Sequence, residues 1–362
     1  MSPRMRPTRI MRTLRIAAVC GLIAAGLTAV PAQAAPTCST VAGAVSAGTG
    51  PGGRVALYAP SGNITLYNLD TSTNIPCGAT TTTADSVSVT GSAQADYFQL
   101  DFSFGALEPG ATTEPGTSEI EVSVTMGGGK DIFVMAGSAN PDTFTATAGG
   151  FRWNGDADTD VTVGGAETLI ADGEGGNDTI DLTATSFTNI TLDGSAGADT
   201  LIGGTADDNI DGGPGQDHLV GNAGDDNLQG GPDHDMISGG PGRDEYITAW
   251  NGQSSGLPVA GLRMDLRDTN ILNDGWNASD ALRSIEIVQG TTFGDRMTGT
   301  RKPEFFEGGG GNDALRGQSG NDALFGDAGR DTLVGGDGAD LCNGGAGTSD
   351  TASRCEQLAG IP

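Results

Sequence analysis

Aromatic residues make up only 5% of the 362-residue sequence, while glycine fills 61 positions. A chain so poor in large side chains cannot fill the wide core of a conventional domain of this length, so a thin, repetitive architecture is expected. Histidine occurs only at His218 and His234, and no H-E-x-x-H sequence exists, which excludes the zinc-protease helix. Lysine and arginine total 18 against 46 acidic residues, a formal charge of −28. That imbalance excludes nucleic acid and anionic lipid as partners. No C-x₂-C pair is present, so the cysteines do not read as a zinc site. Long apolar runs are missing as well: the only sustained one, Ile16 to Val30, is fifteen residues, too short to span a bilayer, so no membrane span is expected in the mature chain. Gly252-Gln253-Ser254-Ser255-Gly256 matches the letters of a nucleophile elbow but lacks the apolar strand before it and the helix after it. The glycine-rich turns carry Asp where a phosphate-binding loop would carry Lys.

What is present begins with a leader. Arg4, Arg6, Arg9, Arg12 and Arg15 precede the apolar run, and Ala32-Gln33-Ala34 follows it, the pattern of a secretory signal peptide cut after Ala34. Removing it leaves 13 basic residues against 46 acidic ones, a formal charge of −33. It also leaves Cys38, Cys77, Cys342 and Cys355, an even number in an exported chain. Of the three possible pairings the most local joins Cys38 to Cys77 and Cys342 to Cys355.

Two arrays dominate the rest. Gly194 to Ile247 divides into GSAGADTLI, GGTADDNID, GGPGQDHLV, GNAGDDNLQ, GGPDHDMIS and GGPGRDEYI; Gly290 to Asn343 divides into GTTFGDRMT, GTRKPEFFE, GGGGNDALR, GQSGNDALF, GDAGRDTLV and GGDGADLCN. Position one is always Gly, position six is Asp except for Glu304, and position eight is large and apolar except for Cys342. Glycines at positions one, two and four suit a short loop with positive φ and inward-turned carbonyls. The carboxylate adds a hard, charged oxygen, and this donor set fits Ca²⁺ rather than a soft metal. Positions seven to nine read as a three-residue strand whose central side chain points inward, giving the stripe Leu201, Ile210, Leu219, Leu228, Ile237, Tyr246, Met297, Phe306, Leu315, Leu324 and Leu333. One apolar residue in nine cannot offset the ordering cost of so much glycine, so cation binding is expected to supply the difference and to couple to folding.

These units resemble the RTX (hemolysin-type) calcium-binding nonapeptide repeat. The resemblance implies an all-β parallel β-roll or β-solenoid with two units per coil, so that turns 18 residues apart stack and share an ion. It pairs Asp199 with Asp217, Asp208 with Asp226, Asp217 with Asp235 and Asp226 with Asp244. In the second array it pairs Asp295 with Asp313, Asp313 with Asp331 and Asp322 with Asp340. Gly173 to Asp181 (GEGGNDTID) is an earlier unit, but Asp178 precedes Asp199 by 21 residues and is a weaker member of the set. Lys302-Pro303-Glu304 breaks the pattern, so that turn is expected to hold an ion poorly.

The remaining sequence falls around the arrays. Residues 1–34 are the signal peptide, 35–84 a β-rich capping region closed by the first disulfide, and 85–193 a degenerate solenoid-like region. In that region GSAQADYFQ (91–99), Lys130 to Phe133 and Pro141 to Phe144 echo the repeat, and Ala106 to Gly116 reads as an extruded loop. The first array is 194–247, a β-containing separator 248–289, the second array 290–343 and a cap 344–362. The expectation is a secreted, non-enzymatic, calcium-binding protein with a structural or adhesive role at the cell surface or in a matrix. The alternative is a hydrolase in the N-terminal region, with the arrays serving secretion and folding.

Overall fold

The computed structural model describes residues 37–41, 44–49, 53–58, 63–80, 86–102, 121–153, 159–248, 258–267, 270–347 and 349–360. The expected signal peptide, the Ala106–Gly116 loop and the Gly252–Gly256 stretch lie outside the described residues. Every regular element among those described is a β-strand, and the chain divides into two units that part between Gly194 and Ser195.

The first unit opens with antiparallel pairs. Thr37–Val41 runs against Ala44–Gly48, and Arg54–Tyr58, Asn63–Asn68 and Thr73–Thr80 form a meander. A disulfide from Cys38 to Cys77 ties these pieces together. From there the chain coils in parallel. One sheet stacks Ala44–Gly48, Ser86–Thr90, Glu121–Thr125 and Val161–Gly164. The other stacks Arg54–Tyr58, Tyr97–Asp101, Ile132–Ser138, Thr168–Glu174 and Asn189–Asp193. Each coil therefore places like side chains over one another: Phe98 over Phe133 over Leu169, with the two phenyl rings 6.1 Å apart. Most of the chain's scarce aromatics are spent here, since Phe102 stacks on Trp153 at 3.7 Å and Phe144 meets the same indole edge-on.

The second unit needs no such bulk, because its coils are narrower. One sheet stacks Thr200–Ile202, His218–Val220, Met236–Ser238 and Ala281–Arg283. The opposite sheet runs Asp208–Asp211, Asn227–Gln229, Glu245–Ile247, Ile287–Gln289, Phe305–Glu307, Ala323–Phe325, Leu341–Asn343 and Gln357–Ala359. Within the arrays each partner lies 18 residues on, as in Leu201 to Leu219 to Ile237. Most of the array strands are three residues long, and the middle side chain of such strands as Thr200–Ile202, His218–Val220, Asn227–Gln229 and Ala323–Phe325 is buried between the sheets. Every member of the expected inward stripe is at most 2% exposed.

The described strands of residues 258–289 are woven into the same sheets. Ile287–Gln289 sits between Glu245–Ile247 and Phe305–Glu307. Arg263–Asp265 and Asn270–Asn273 form an antiparallel hairpin, and the first of them pairs in parallel with Arg296–Thr298 of the second array. Cys342, which replaces the apolar residue of the last unit, is fully buried and bonded to Cys355.

Candidate calcium-binding turns

Between successive strands the chain crosses from one sheet to the other in a six-residue turn, and the turn ends on the position-six carboxylate. Asp178, Asp199, Asp208, Asp217, Asp226, Asp235, Asp244, Asp295, Asp313, Asp322, Asp331 and Asp340 are all at most 2% exposed. The nonapeptide period explains the burial: strands of the same sheet recur every 18 residues, so every second carboxylate lands on the one before it. The backbone N–H of Asp199 donates to Asp217 Oδ1 at 2.8 Å, and that of Asp217 to Asp235 Oδ1 at 2.9 Å. On the other edge Asp208 donates to Asp226 and Asp226 to Asp244. In the second array the links run from Asp295 to Asp313 to Asp331 and from Glu304 to Asp322 to Asp340. Asp178 belongs to the first unit, where its Oδ1 accepts from the N–H of Asp142 at 2.7 Å.

This use of one carboxylate oxygen leaves the other. In eight turns, those of Asp217, Asp226, Asp235, Asp244, Asp313, Asp322, Asp331 and Asp340, Oδ2 is buried with no hydrogen-bond partner. A buried, unpartnered anionic oxygen is costly, by several kcal/mol per group. The carboxyls respond accordingly. Burial pushes Asp217, Asp244 and Asp313 up to about 7 and Asp226 to about 6, while backbone hydrogen bonds pull the other way. Burial, with Asp280 alongside, carries Asp235 to about 9.

The position-one glycine requires a correction. Positive φ was expected at positions one, two and four, and it occurs at two and four, as at Gly213 (φ 90°) and Gly215 (φ 151°), but not at one. What forbids a side chain at position one is space. A Cβ on Gly212 would lie 2.5 Å from Asp217 Oδ2 and 2.7 Å from the carbonyl oxygen of Gly230. The unpartnered carboxylate oxygen and a carbonyl of the next coil thus flank one small hollow, and the same pair of neighbours recurs at Gly221 and Gly308. Among the described residues no three Asp, Glu, His or Cys side chains converge on a point, so an ion held here draws on backbone carbonyls as well as carboxylates. Hard oxygens from both sources are what Ca²⁺ takes, and the residues present fit it.

Several members of these carboxylate columns escape a strict nonapeptide reading. Asp280 receives the N–H of Asp235, and Glu286 that of Asp244, although both lie in the separator. Gly275-Trp276-Asn277-Ala278-Ser279-Asp280-Ala281-Leu282-Arg283 carries the glycine, the Asp and the apolar residue at positions one, six and eight, and that signal finds it. Asp350 and Glu356 close the columns at the C-terminal end, receiving Asp331 and Asp340; their spacings of 19 and 16 residues hide them. In the first unit Asp96 donates to Asp131, and Asp131 to Glu167, across coils of 35 and 36 residues. At the irregular turn, Glu304 keeps its place in the column and Lys302 bonds Glu286 Oε1 at 2.9 Å. An ammonium group stands there beside a column carboxylate.

The family model for the RTX calcium-binding nonapeptide repeat matches four times, at residues 191–219, 211–246, 289–324 and 316–349. No curated protein matches the chain.

Proposed function

Given that the chain is an RTX-type repeat protein whose repeats bind calcium, we propose that calcium drives the second unit to coil, and that the protein is secreted and serves a structural or adhesive role outside the cell. The observation that carries the reading is the set of eight buried carboxylate oxygens without a partner. Residues such as Asp217 and Asp313, with the glycine carbonyls beside them, would hold the ions. Calcium bound there offsets the charge that burial otherwise makes unfavourable, and its binding free energy becomes folding free energy.

Export supports the same logic. The leader at residues 1–34 has the pattern of a signal peptide, and the disulfides Cys38–Cys77 and Cys342–Cys355 suit an oxidising compartment. Calcium is scarce in the cytosol and plentiful outside, so coiling would wait until the chain has left. Repeats stiffened in this way are suited to binding surface or matrix components through repetition. We assign it no catalysis. The alternative, a hydrolase in the first unit, predicts turnover in a broad ester, peptide and glycoside screen that survives chelation.

Circular dichroism of the mature chain with chelator, and then with millimolar Ca²⁺, tests the proposal. A large gain of β signal on adding calcium is expected. An unchanged spectrum would remove the reading.

A further inference from the structure

The turns divide by what position two does. In eight turns of the two arrays with an unpartnered Oδ2, position two is Gly213, Asn222, Gly231, Gly240, Gly309, Gln318, Asp327 or Gly336, and all eight have positive φ. Four other turns carry a hydroxyl residue there without positive φ; in one, Thr300 Oγ1 bonds Glu304 Oε1 while Glu304 Oε2 stays buried without a partner, and in the other three the position-two N–H reaches the carboxylate. Ser92 N donates to Asp96 Oδ2 at 2.5 Å, Ser138 N to Asp142 Oδ2 at 2.5 Å and Thr291 N to Asp295 Oδ2 at 2.7 Å. Hydroxyls add to the closure, since Thr291 Oγ1 lies 2.9 Å from Asp295 Oδ1, which also accepts from Leu262 N at 2.6 Å. Ser92 Oγ likewise reaches Asp96 Oδ1 at 3.2 Å, beside the N–H of Gly53 at 3.0 Å.

We propose that the backbone at position two decides whether a turn takes a calcium ion: a Ser or Thr outside the left-handed region closes its N–H onto the carboxylate and substitutes for the ion, whereas a residue in the left-handed region leaves the carboxylate open to it; Ser195, at φ 65°, shows that a hydroxyl residue alone does not fix the closed conformation. By this rule Asp295, although it sits in a matched repeat, does not need calcium, and neither do Asp96 and Asp142 in the first unit. Thr favours the closed form because a β-branched side chain resists positive φ, and Asn favours the open one because it tolerates that region. A hydroxyl is not obligatory for the N–H contact, since Gly204 N also reaches Asp208 Oδ2, at 2.6 Å, but Asp208 Oδ1 stays buried without a partner, so that turn is only half closed. Asp131 is open by a different route. Its Oδ2 is buried without a partner, but Met126 occupies position one and Gly127 is not at positive φ.

The inference rests on calcium binding by the open turns and deepens it to single residues. Two substitutions in the full mature chain test it by equilibrium dialysis of Ca²⁺. Gln318→Thr should close the Asp322 turn and lower the bound calcium by one ion; Thr291→Asn should open the Asp295 turn and raise it by one. Opposite shifts support the rule, and any other pattern overturns it. If Gln318→Thr does not coil in calcium, as judged by circular dichroism, Thr291→Asn alone decides. A parent chain that binds no calcium would instead defeat the proposed function, which separates the two failures.

Discussion

Asp313→Asn should change sign between two conditions. The substitution keeps an oxygen to accept the N–H of Asp295, now 2.8 Å from Asp313 Oδ1, and keeps the side-chain shape beside Gly308. It removes the negative charge from a carboxylate whose Oδ2 is buried and unpartnered. Without calcium that charge is a liability. Burial lifts the carboxyl from 3.8 to about 7, which is worth at most about 4 kcal/mol at neutral pH. Water reaching the turn screens part of this, so about 2 kcal/mol is the working figure. In chelator, where the second unit of the parent is expected to be uncoiled, the variant should then retain more β signal, by roughly 30-fold in the coiled-to-uncoiled ratio. With calcium present the order reverses. One charge pair at roughly 4 Å is worth about 4 kcal/mol at an intermediate dielectric, and the retained amide oxygen recovers part of it. A loss of about 2 kcal/mol moves the calcium midpoint roughly 30-fold upward. The β signal by circular dichroism in chelator measures the first arm, and thermal melts in millimolar calcium measure the second. Equal destabilisation in the two conditions would show that Asp313 is only a turn former, and the cation argument would fail.

Acidification should act in the same direction as the Asn substitution. The folded-state carboxyls of Asp208, Asp217, Asp244 and Asp313 lie near 7, above the ordinary 3.8. The folded form therefore binds more protons than the unfolded one between those values, and stability falls as pH rises through about 7. Chelated protein should gain β signal between pH 7.5 and pH 4.5, while calcium affinity drops over the same interval; a chelated spectrum indifferent to pH contradicts this. Gly221→Ala should cost about 1–3 kcal/mol through overpacking, because the new methyl group meets Asp226 Oδ2 and the carbonyl of Gly239. Calcium titration should show one site weakened, and full retention of affinity would argue against the hollow. Cys342→Ser, which opens a loop of 13 residues, should lower stability in calcium by about 3 kcal/mol. A denaturant midpoint unchanged from the parent would mean that the disulfide contributes nothing there.

Much of the second unit was legible because its code is local. A nine-residue period with fixed Gly, Asp and apolar positions contains both strand and turn, and the buried stripe from Leu201 to Leu333 follows from counting. Spacing was a poorer guide where coils change length. Asp280 and Glu286 occupy the same columns as Asp235 and Asp244 at separations of 45 and 42 residues; Asp280 carries the nonapeptide signature but out of register with the array, and Glu286 carries none. Position one shows a subtler gap: glycine was predicted there, but for its backbone freedom rather than for the carboxylate that fills the place of its side chain.

The sequence by itself determined the repeat length, the identity of the inward side chains and the hard-oxygen character of the turns, because each is set by residues within nine of one another. Only the tertiary structure decided which oxygens are satisfied. The N–H that holds Asp217 comes from Asp199, a full coil earlier, whereas the N–H that closes Asp295 comes from its own turn, at Thr291. Whether a buried carboxylate needs a cation depends on the sum of such donors, and that sum exists only once the coils are stacked.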